Sequence, residues 1–294
     1  MRLRRAQDTA ALPPDLRGRY GPAALVVGAS VGLGAAWAEV LAASGLDLIL
    51  VARRAEVLAD TSARVARTYG VKVQALPGDL ADGSWLADIE DRAEGGDVGF
   101  AVVNAAAAPS GPFVSSSFET LEQTVAVNCL GSLRVARSVL PGMAAHGRGG
   151  LVLMSSLAGN QGSPGLAAYA ATKAYLRVLA EGLWYELRPS GVDVLACVAG
   201  AVDTPGYSAS AQAHAPGTMS PAAVVEATLA ALGRRPVVVP GRLNAVASTV
   251  MLRLLPRAAG VEVMAKANKA AGLAGLESAP GWRRRASGRQ SRAG

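Results

Sequence analysis

The sequence predicts an α/β fold: a doubly wound, mainly parallel sheet with helices on both faces, in a single domain with a helical C-terminal extension. Three observations lead there. Apolar runs of strand length alternate with helix-period segments from about residue 24 to residue 239, the pattern of repeated strand–helix–strand units. The first strand is followed by a turn almost without side chains, carrying Gly28, Gly32 and Gly34. The polar residues that stand out from this apolar background all fall at strand ends or on the following helix, where ligands bind in such sheets.

The elements follow in order. Residues 1–20, with Pro13 and Pro14 and no periodicity, read as a flexible leader. Ala24–Val27 is short and apolar enough for a buried strand. A helical pattern runs from Ala35 to about Ser44, Gly45 stops it, and Leu46–Ala52 is the next strand. Glu56–Tyr69 is helical, Val71–Leu76 alternates like a strand, and Pro77-Gly78-Asp79-Leu80 turns the chain. Trp85–Glu94 is a helix, Gly99–Ala106 a strand, and one long helix is expected from about Leu121 to Leu140. Leu151–Ser155, a helix over Ala167–Leu187, Val192–Val198, a helix over Pro221–Leu232 and a short strand Val237–Val239 complete the series.

Composition narrows the classes. At 294 residues the chain is long enough for a full core, and half of it is hydrophobic. Two cysteines, Cys129 and Cys197, lie in apolar patterns, so reduced thiols are expected rather than a disulfide framework, and the compartment is expected to be cytoplasmic. No cluster of His, Cys or carboxylates points to a metal. The formal charge of +7 is concentrated in Arg2, Arg4 and Arg5 and in Arg283, Arg284, Arg285, Arg289 and Arg292. Charge in terminal segments bears on surface association more than on fold, and no nucleic-acid partner is expected. The N-terminal arginines precede no apolar run, which argues against a signal peptide, and no stretch has the length of a membrane span.

The glycine turn carries the first chemical suggestion. Free backbone N–H groups and the positive end of the following helix can meet a diphosphate there. The spacing Gly28-x3-Gly32-x-Gly34 differs from the commonest dinucleotide fingerprint. Farther on, Tyr169-Ala170-Ala171-Thr172-Lys173 sets a phenol and an amine one helical turn apart on one face. A nearby ammonium favours the phenolate and would lower the tyrosine pKa from its ordinary value of about 10. Ser156, in Met154-Ser155-Ser156-Leu157-Ala158-Gly159, precedes Tyr169 by thirteen residues, and Asn128 lies inside the long helix.

Together these motifs resemble those of the short-chain dehydrogenase/reductase family: the TGxxxGxG turn, the SSxAG segment, Tyr-x3-Lys and the helix asparagine. The resemblance covers roughly residues 21–240 and implies a Rossmann-type dinucleotide-binding and catalytic domain, residues 21–241. It implies that Tyr169 is the general acid, that Ser156 orients the carbonyl oxygen, that Lys173 holds the nicotinamide ribose, and that Asn128 holds a water linking Lys173 to solvent. The cofactor residues carried over are Gly28, Ser30, Leu33, Gly32, Gly34, Asp79, Leu80, Asn104 and Thr204, with Tyr169 and Lys173. At the end of the second strand Ala52 stands where NAD-preferring sites have an acid, and Arg53 follows, so NADP(H) is the expected cofactor; Arg53 and Arg54 also read as the solvated start of a helix. Asp79 reads equally as a cap for the helix after it.

The chain departs from the family pattern in places. Val27 replaces the usual Thr, Val103-Asn104-Ala105-Ala106 stands for NNAG, and Val198-Ala199-Gly200 lacks the usual proline. Pro205–Ser220, with His214, is expected to be a mobile substrate loop, and His146 to sit at a helix end without a chemical role. Residues 242–294 are read as an extension with a basic disordered tail. Within it Leu243, Val246, Ala247, Val250, Met251, Leu254 and Leu255 recur at helical spacing, with Arg242, Arg253 and Arg257 alongside. That helix either packs on its own domain or a subunit, walls an acyl tunnel, or makes weak peripheral contact with a membrane. Arg19-Tyr20-Gly21-Pro22 and the strand LDLILVARR are similar to the subgroup of 3-oxoacyl-CoA reductases and 17β-hydroxysteroid dehydrogenases. The resemblance thus implies reduction of a lipid-like ketone, such as a 3-oxoacyl thioester, or the reverse oxidation, with a compact cyclic ketone as the alternative. It also implies a homodimer or homotetramer; a non-catalytic NADP-binding regulator and a membrane-surface scaffold are the readings from other classes.

Overall fold

The computed structural model describes residues 15–210 and 215–272. Seven parallel strands form one sheet in the order β3-β2-β1-β4-β5-β6-β7. They are β1 Ala23–Val27, β2 Asp47–Ala52, β3 Val73–Pro77, β4 Val98–Val103, β5 Gly149–Ser156, β6 Val192–Ala199 and β7 Val237–Val238. Helices α1 Leu16–Tyr20, α2 Gly32–Ala43, α3 Ala55–Tyr69, α4 Leu86–Glu94, α5 Phe118–Val125, α6 Ser132–Ala145 and α7 Ala167–Leu187 precede β6 in the chain. α8 Pro205–Ser210, α9 Pro221–Ala231, α10 Arg242–Thr249 and α11 Arg257–Ala270 follow it. The strand order reverses between β1 and β4, which opens a crevice at the carboxyl ends of these two strands.

Strand side chains alternate between two cores because successive residues point to opposite faces. Ala24 and Val26 of β1 join Trp37, Leu50, Phe100 and Leu229 on one face. Leu25 and Val27 join Ile49, Ala101, Val139 and Leu176 on the other.

Three places differ from the sequence reading. The last residues of the expected leader form α1, whose Leu16 and Tyr20 are 1% and 2% exposed. Tyr20 packs on Phe100 with ring centroids 5.2 Å apart and donates its hydroxyl to Asp193 at 2.8 Å, while Arg19 pairs with the same carboxylate at 2.6 Å. Burial, with Asp193 adding to it, pushes the Tyr20 phenol well above its usual range. The proline-rich run before it hid these two anchors.

The expected long helix is a helical run from Phe118 to Ala145 interrupted by a π-turn at Ala126–Gly131. The hydroxyl of Ser132 donates to the carbonyl of Asn128 at 2.7 Å within that turn. Gly131 is needed there: a Cβ would lie 2.5 Å from the carbonyl oxygen of Leu80.

The extension differs most. α10 continues as a π-turn, Val250–Leu254, and a second helix, α11, follows, which the sequence reading did not separate from the first. Pro256 before α11 and the left-handed Gly272 after it were the available signals. The helices do not pack by their apolar faces: Asn244, Ser248 and Asn268 are buried, whereas Leu243, Val246 and Leu254 are exposed. The expected loop Pro205–Ser220 contains α8 and a bridge between Val202 and Met219; His214 lies outside the described residues, as do the terminal arginines. His146 caps α6, its Nδ1 2.8 Å from the Gly142 carbonyl oxygen. No helix among the described residues is long and apolar enough to cross a membrane.

If α1 belongs to the core, Leu16→Ala removes a fully buried side chain and should lower the unfolding free energy by about 2–4 kcal/mol in denaturant titration. An unchanged midpoint would mean that α1 is an ornament of the surface.

Candidate active site

Two adjoining cavities follow the carboxyl edge of the sheet. One, of about 620 Å³, runs from Arg53 and Arg54 past Asp79 and Gly28 to Asn104 and Ala106. The other, of about 270 Å³, begins at the same Asn104 and Ala106 and ends on Ser156, Tyr169 and Lys173. Their shared wall makes one trench from the guanidinium groups to the phenol.

The middle of the trench is a cradle of backbone. Gly28 has φ +86°, and a Cβ on it would lie 2.6 Å from the Ala105 nitrogen. A Cβ on Gly34 would lie 1.9 Å from the Gly28 carbonyl oxygen. Only glycine meets both conditions. The Asn104 amide donates to the Gly28 carbonyl at 3.0 Å, so it braces the turn from the neighbouring strand end. Val31 precedes α2 and offers no side-chain cap, which leaves the helix's first N–H groups unclaimed by any side chain. Gly32 lies against the Thr204 side chain, and Leu33 and Thr204 both face the inner cavity.

The outer part of the trench holds the other sequence candidates. Ser30 lines it, with its carbonyl accepting from Thr61 Oγ1 at 2.8 Å. Arg54, which the sequence reading set aside, lines it beside Arg53. Asp79 faces the trench and accepts from the Ala81 N–H at 2.9 Å within its own turn; it does not cap the next helix, which begins at Leu86 with Trp85 as its N-cap and no side-chain cap. Leu80 is buried beside it.

At the inner end, β5 delivers Ser156 and α7 delivers Tyr169 and Lys173. The 3₁₀ turn after Ser156 presses on α7, since a Cβ on Gly159 would lie 2.7 Å from the Ala174 nitrogen. Burial raises the Tyr169 pKa, and the neighbouring Ser156 hydroxyl offsets part of the rise. The expected lowering by Lys173 is therefore not what the protein alone produces. The Lys173 ammonium is 5.6 Å from the centre of the phenol ring and donates to the Met154 carbonyl at 2.7 Å. Burial lowers the pKa of Lys173 to about 8, with small opposing effects from Cys129 and Cys197.

Asn128 does more structural work than the sequence suggested. Its Nδ2 donates to the Ala107 carbonyl and to Thr172 Oγ1, both at 2.9 Å, and its Oδ1 accepts from the Ala107 N–H at 2.8 Å. Both amide protons are thus committed to protein. Thr172 passes the tie on by donating to the Tyr169 carbonyl at 2.7 Å, and Ser155 donates to the Lys173 carbonyl at 2.7 Å. Sequence reasoning quoted Thr172 and Ser155 only as motif letters; a buried hydroxyl beside each functional residue was the signal.

Removing Asn128 strands these groups in a dry interior. Asn128→Ala should cost about 2–4 kcal/mol in unfolding free energy, the sum expected for several buried hydrogen-bonding groups left without partners. A loss no larger than that of a surface substitution would contradict the bracketing geometry.

The family model for short chain dehydrogenase matches residues 22–215. A very-long-chain 3-oxoacyl-CoA reductase of Phaeosphaeria nodorum is 33% identical over 76% of this chain and 67% of the relative. The chain spans between about half and two thirds of such fungal reductases, 50% to 67% of their length. A solved 7β-hydroxysteroid dehydrogenase superposes with a TM-score of 0.79 at 26% identity, over 85% of this chain and 99% of the other. A short-chain dehydrogenase from Sphingobium yanoikuyae in complex with NADPH has a TM-score of 0.69 at 32% identity, over 80% and 96%. The chain belongs to the short-chain dehydrogenase/reductase family, NAD(P)-dependent oxidoreductases that act on CH–OH and C=O groups.

Proposed function

We propose that the protein reduces a lipid-like ketone, such as a 3-oxoacyl thioester, to the secondary alcohol with NADPH, or runs the reverse oxidation. The observation that carries this reading is the single trench joining two arginines to the Ser156–Tyr169–Lys173 constellation. The backbone cradle at Gly28 and Gly34 fits a diphosphate, and Arg53 with Arg54 fits a 2′-phosphate through charge-assisted contacts. Asp79 and Leu80 would border the adenine, and Asn104 and Thr204 the middle and inner reaches of the bound cofactor.

The bound nicotinamide supplies the hydride for the carbonyl carbon. Tyr169, protonated throughout the neutral range because burial raises its pKa, gives its proton to the developing alkoxide. Ser156 holds that oxygen in place by hydrogen bonding. Lys173 binds the ribose and brings positive charge toward the phenol as the proton leaves. Asn128 and Thr172 fix the helical turn on which Tyr169 stands. We further propose a cytoplasmic homodimer or homotetramer. The apolar groove between Leu133 and Leu140 of α6 and Leu179, Leu183 and Leu187 at the end of α7 supports pairing through the long helices.

A second reading, reduction of a compact steroid-like ketone, is favoured by the likeness to the solved 7β-hydroxysteroid dehydrogenase. NADPH oxidation against 3-oxoacyl thioesters of increasing chain length and against compact cyclic ketones separates the two. The acyl reading predicts a rate that climbs with chain length and disappears in Tyr169→Phe, which should still bind NADPH. Turnover confined to compact ketones would replace it with the second reading, and normal turnover in Tyr169→Phe would remove the mechanism.

The pH dependence follows from Lys173. Its pKa lies below the ordinary lysine value, so the charged form is present below about 8 and lost above it. Because Tyr169 stays protonated through that range, kcat/KM for reduction should fall as pH rises through about 8. A profile that stays flat across that limb would contradict the role given to the ammonium.

A further inference from the structure

The C-terminal helices are packed inside out. α10 turns its polar residues to the protein: Asn244 donates to the carbonyls of Gly217 at 3.0 Å and Pro240 at 3.1 Å, and Ser248 accepts from Asn160 at 2.9 Å. α11 does the same, with Asn268 donating to Ser163 and to the Pro164 carbonyl, both at 2.8 Å. Arg257, at the junction, donates to the Asn160 carbonyl at 2.9 Å. The contacts of Ser248, Asn268 and Arg257 bind the extension to the segment that connects Ser156 with Tyr169, and Asn244 ties it to Gly217. Rolling the helices to bury their apolar side would break all of them, so the apolar row is held outward.

That row consists of Leu243, Val246 and Leu254, exposed by 56%, 61% and 72%, with Val250 half-buried between them. Their spacing places them along one side of the helix. The charge along the extension has one sign. Residues 242–272 contain Arg242, Arg253, Arg257, Lys266 and Lys269 against a single acid, Glu262. Arg242, Arg253, Lys266 and Lys269 are exposed, and none is paired with a carboxylate among the described residues. An apolar row flanked by basic side chains is the composition that lies in the headgroup region of an anionic bilayer. A second copy of the chain on this face would set the same basic residues against each other with one carboxylate to answer them. Charge complementarity therefore selects the lipid.

We propose that the outward face of α10 and the π-turn after it docks on an anionic membrane surface, seating Leu243, Val246 and Leu254 among the lipid headgroups. The docking stands without the reductase reading; where that reading holds, the surface brings a lipid-like substrate's own phase close to the site.

The test is co-sedimentation of the full chain with vesicles of phosphatidylcholine alone and of phosphatidylcholine with phosphatidylserine. The chain should pellet with the anionic vesicles and not the neutral ones, and less so at high salt. The triple variant Leu243→Glu/Val246→Glu/Leu254→Glu should lose that binding by more than about tenfold. Its thermal unfolding, measured in parallel, should stay cooperative with a similar midpoint, because the three side chains contact water rather than core. Absence of pelleting with anionic vesicles overturns the proposal. Undiminished pelleting of the triple variant also overturns it, since the basic sequence beyond residue 272 would then suffice. A wild-type chain that ignores vesicles but forms an oligomer that the variant cannot form assigns the face to a second copy, and overturns it as well.

Discussion

One buried amide holds the two halves of the site together. Asn128 grips the chain after β4, which borders the cofactor trench, and reaches Thr172 on α7, which carries the phenol and the amine. It does so from a π-turn, where the helix widens enough to let the side chain reach both. Ala107 and Thr172 lie 21 and 44 residues from Asn128 in sequence, so this contact ties trench to phenol across segments that local chain geometry does not bring together. Hydrogen bonds in a dry interior are directional, and leaving them unmade costs far more than making them gains. That asymmetry is what makes the bracket rigid.

Around it, the same trade of apolar packing for hydrogen bonding recurs. Ser155 and Thr172 tether the main chain of Lys173 and Tyr169, and Asn104 tethers the glycine turn. The main chain of the residues proposed to do chemistry is thereby held by their neighbours. Burial then sets the electrostatics: it raises the Tyr169 pKa and lowers that of Lys173, so the pair stays as neutral acid and cation near neutral pH only over a limited range. A positively charged ligand ring near the phenol would shift that balance further, which ties the protonation state of the site to its occupancy.

Much of this was legible in the sequence, for physical reasons. The strand–helix alternation is a burial pattern, and the sheet it predicts is the one observed, within a residue or two at most strand ends. The glycine turn and the Tyr-x3-Lys helix face are local, so their geometry follows from spacing alone. What escaped depended on partners far away. Leu16 and Tyr20 looked like loop residues until Phe100 and Asp193 were placed beside them. Which side of the extension packs was not legible, because amphipathic reasoning assumes that the apolar side is the packed side. Here Asn244 found the Gly217 and Pro240 carbonyls, Ser248 the Asn160 amide and Asn268 the Ser163 hydroxyl and Pro164 carbonyl, and polar contacts won.

The central claim is that this trench delivers a hydride to a carbonyl whose oxygen is protonated by Tyr169. A single-turnover reaction with NADPH deuterated at the transferring carbon, followed by mass analysis of the alcohol, tests it most directly. The account predicts deuterium at the carbinol carbon with the wild-type chain and none with Tyr169→Phe at matched cofactor occupancy. Equal labelling by the two chains, or an alcohol formed without deuterium, would contradict it.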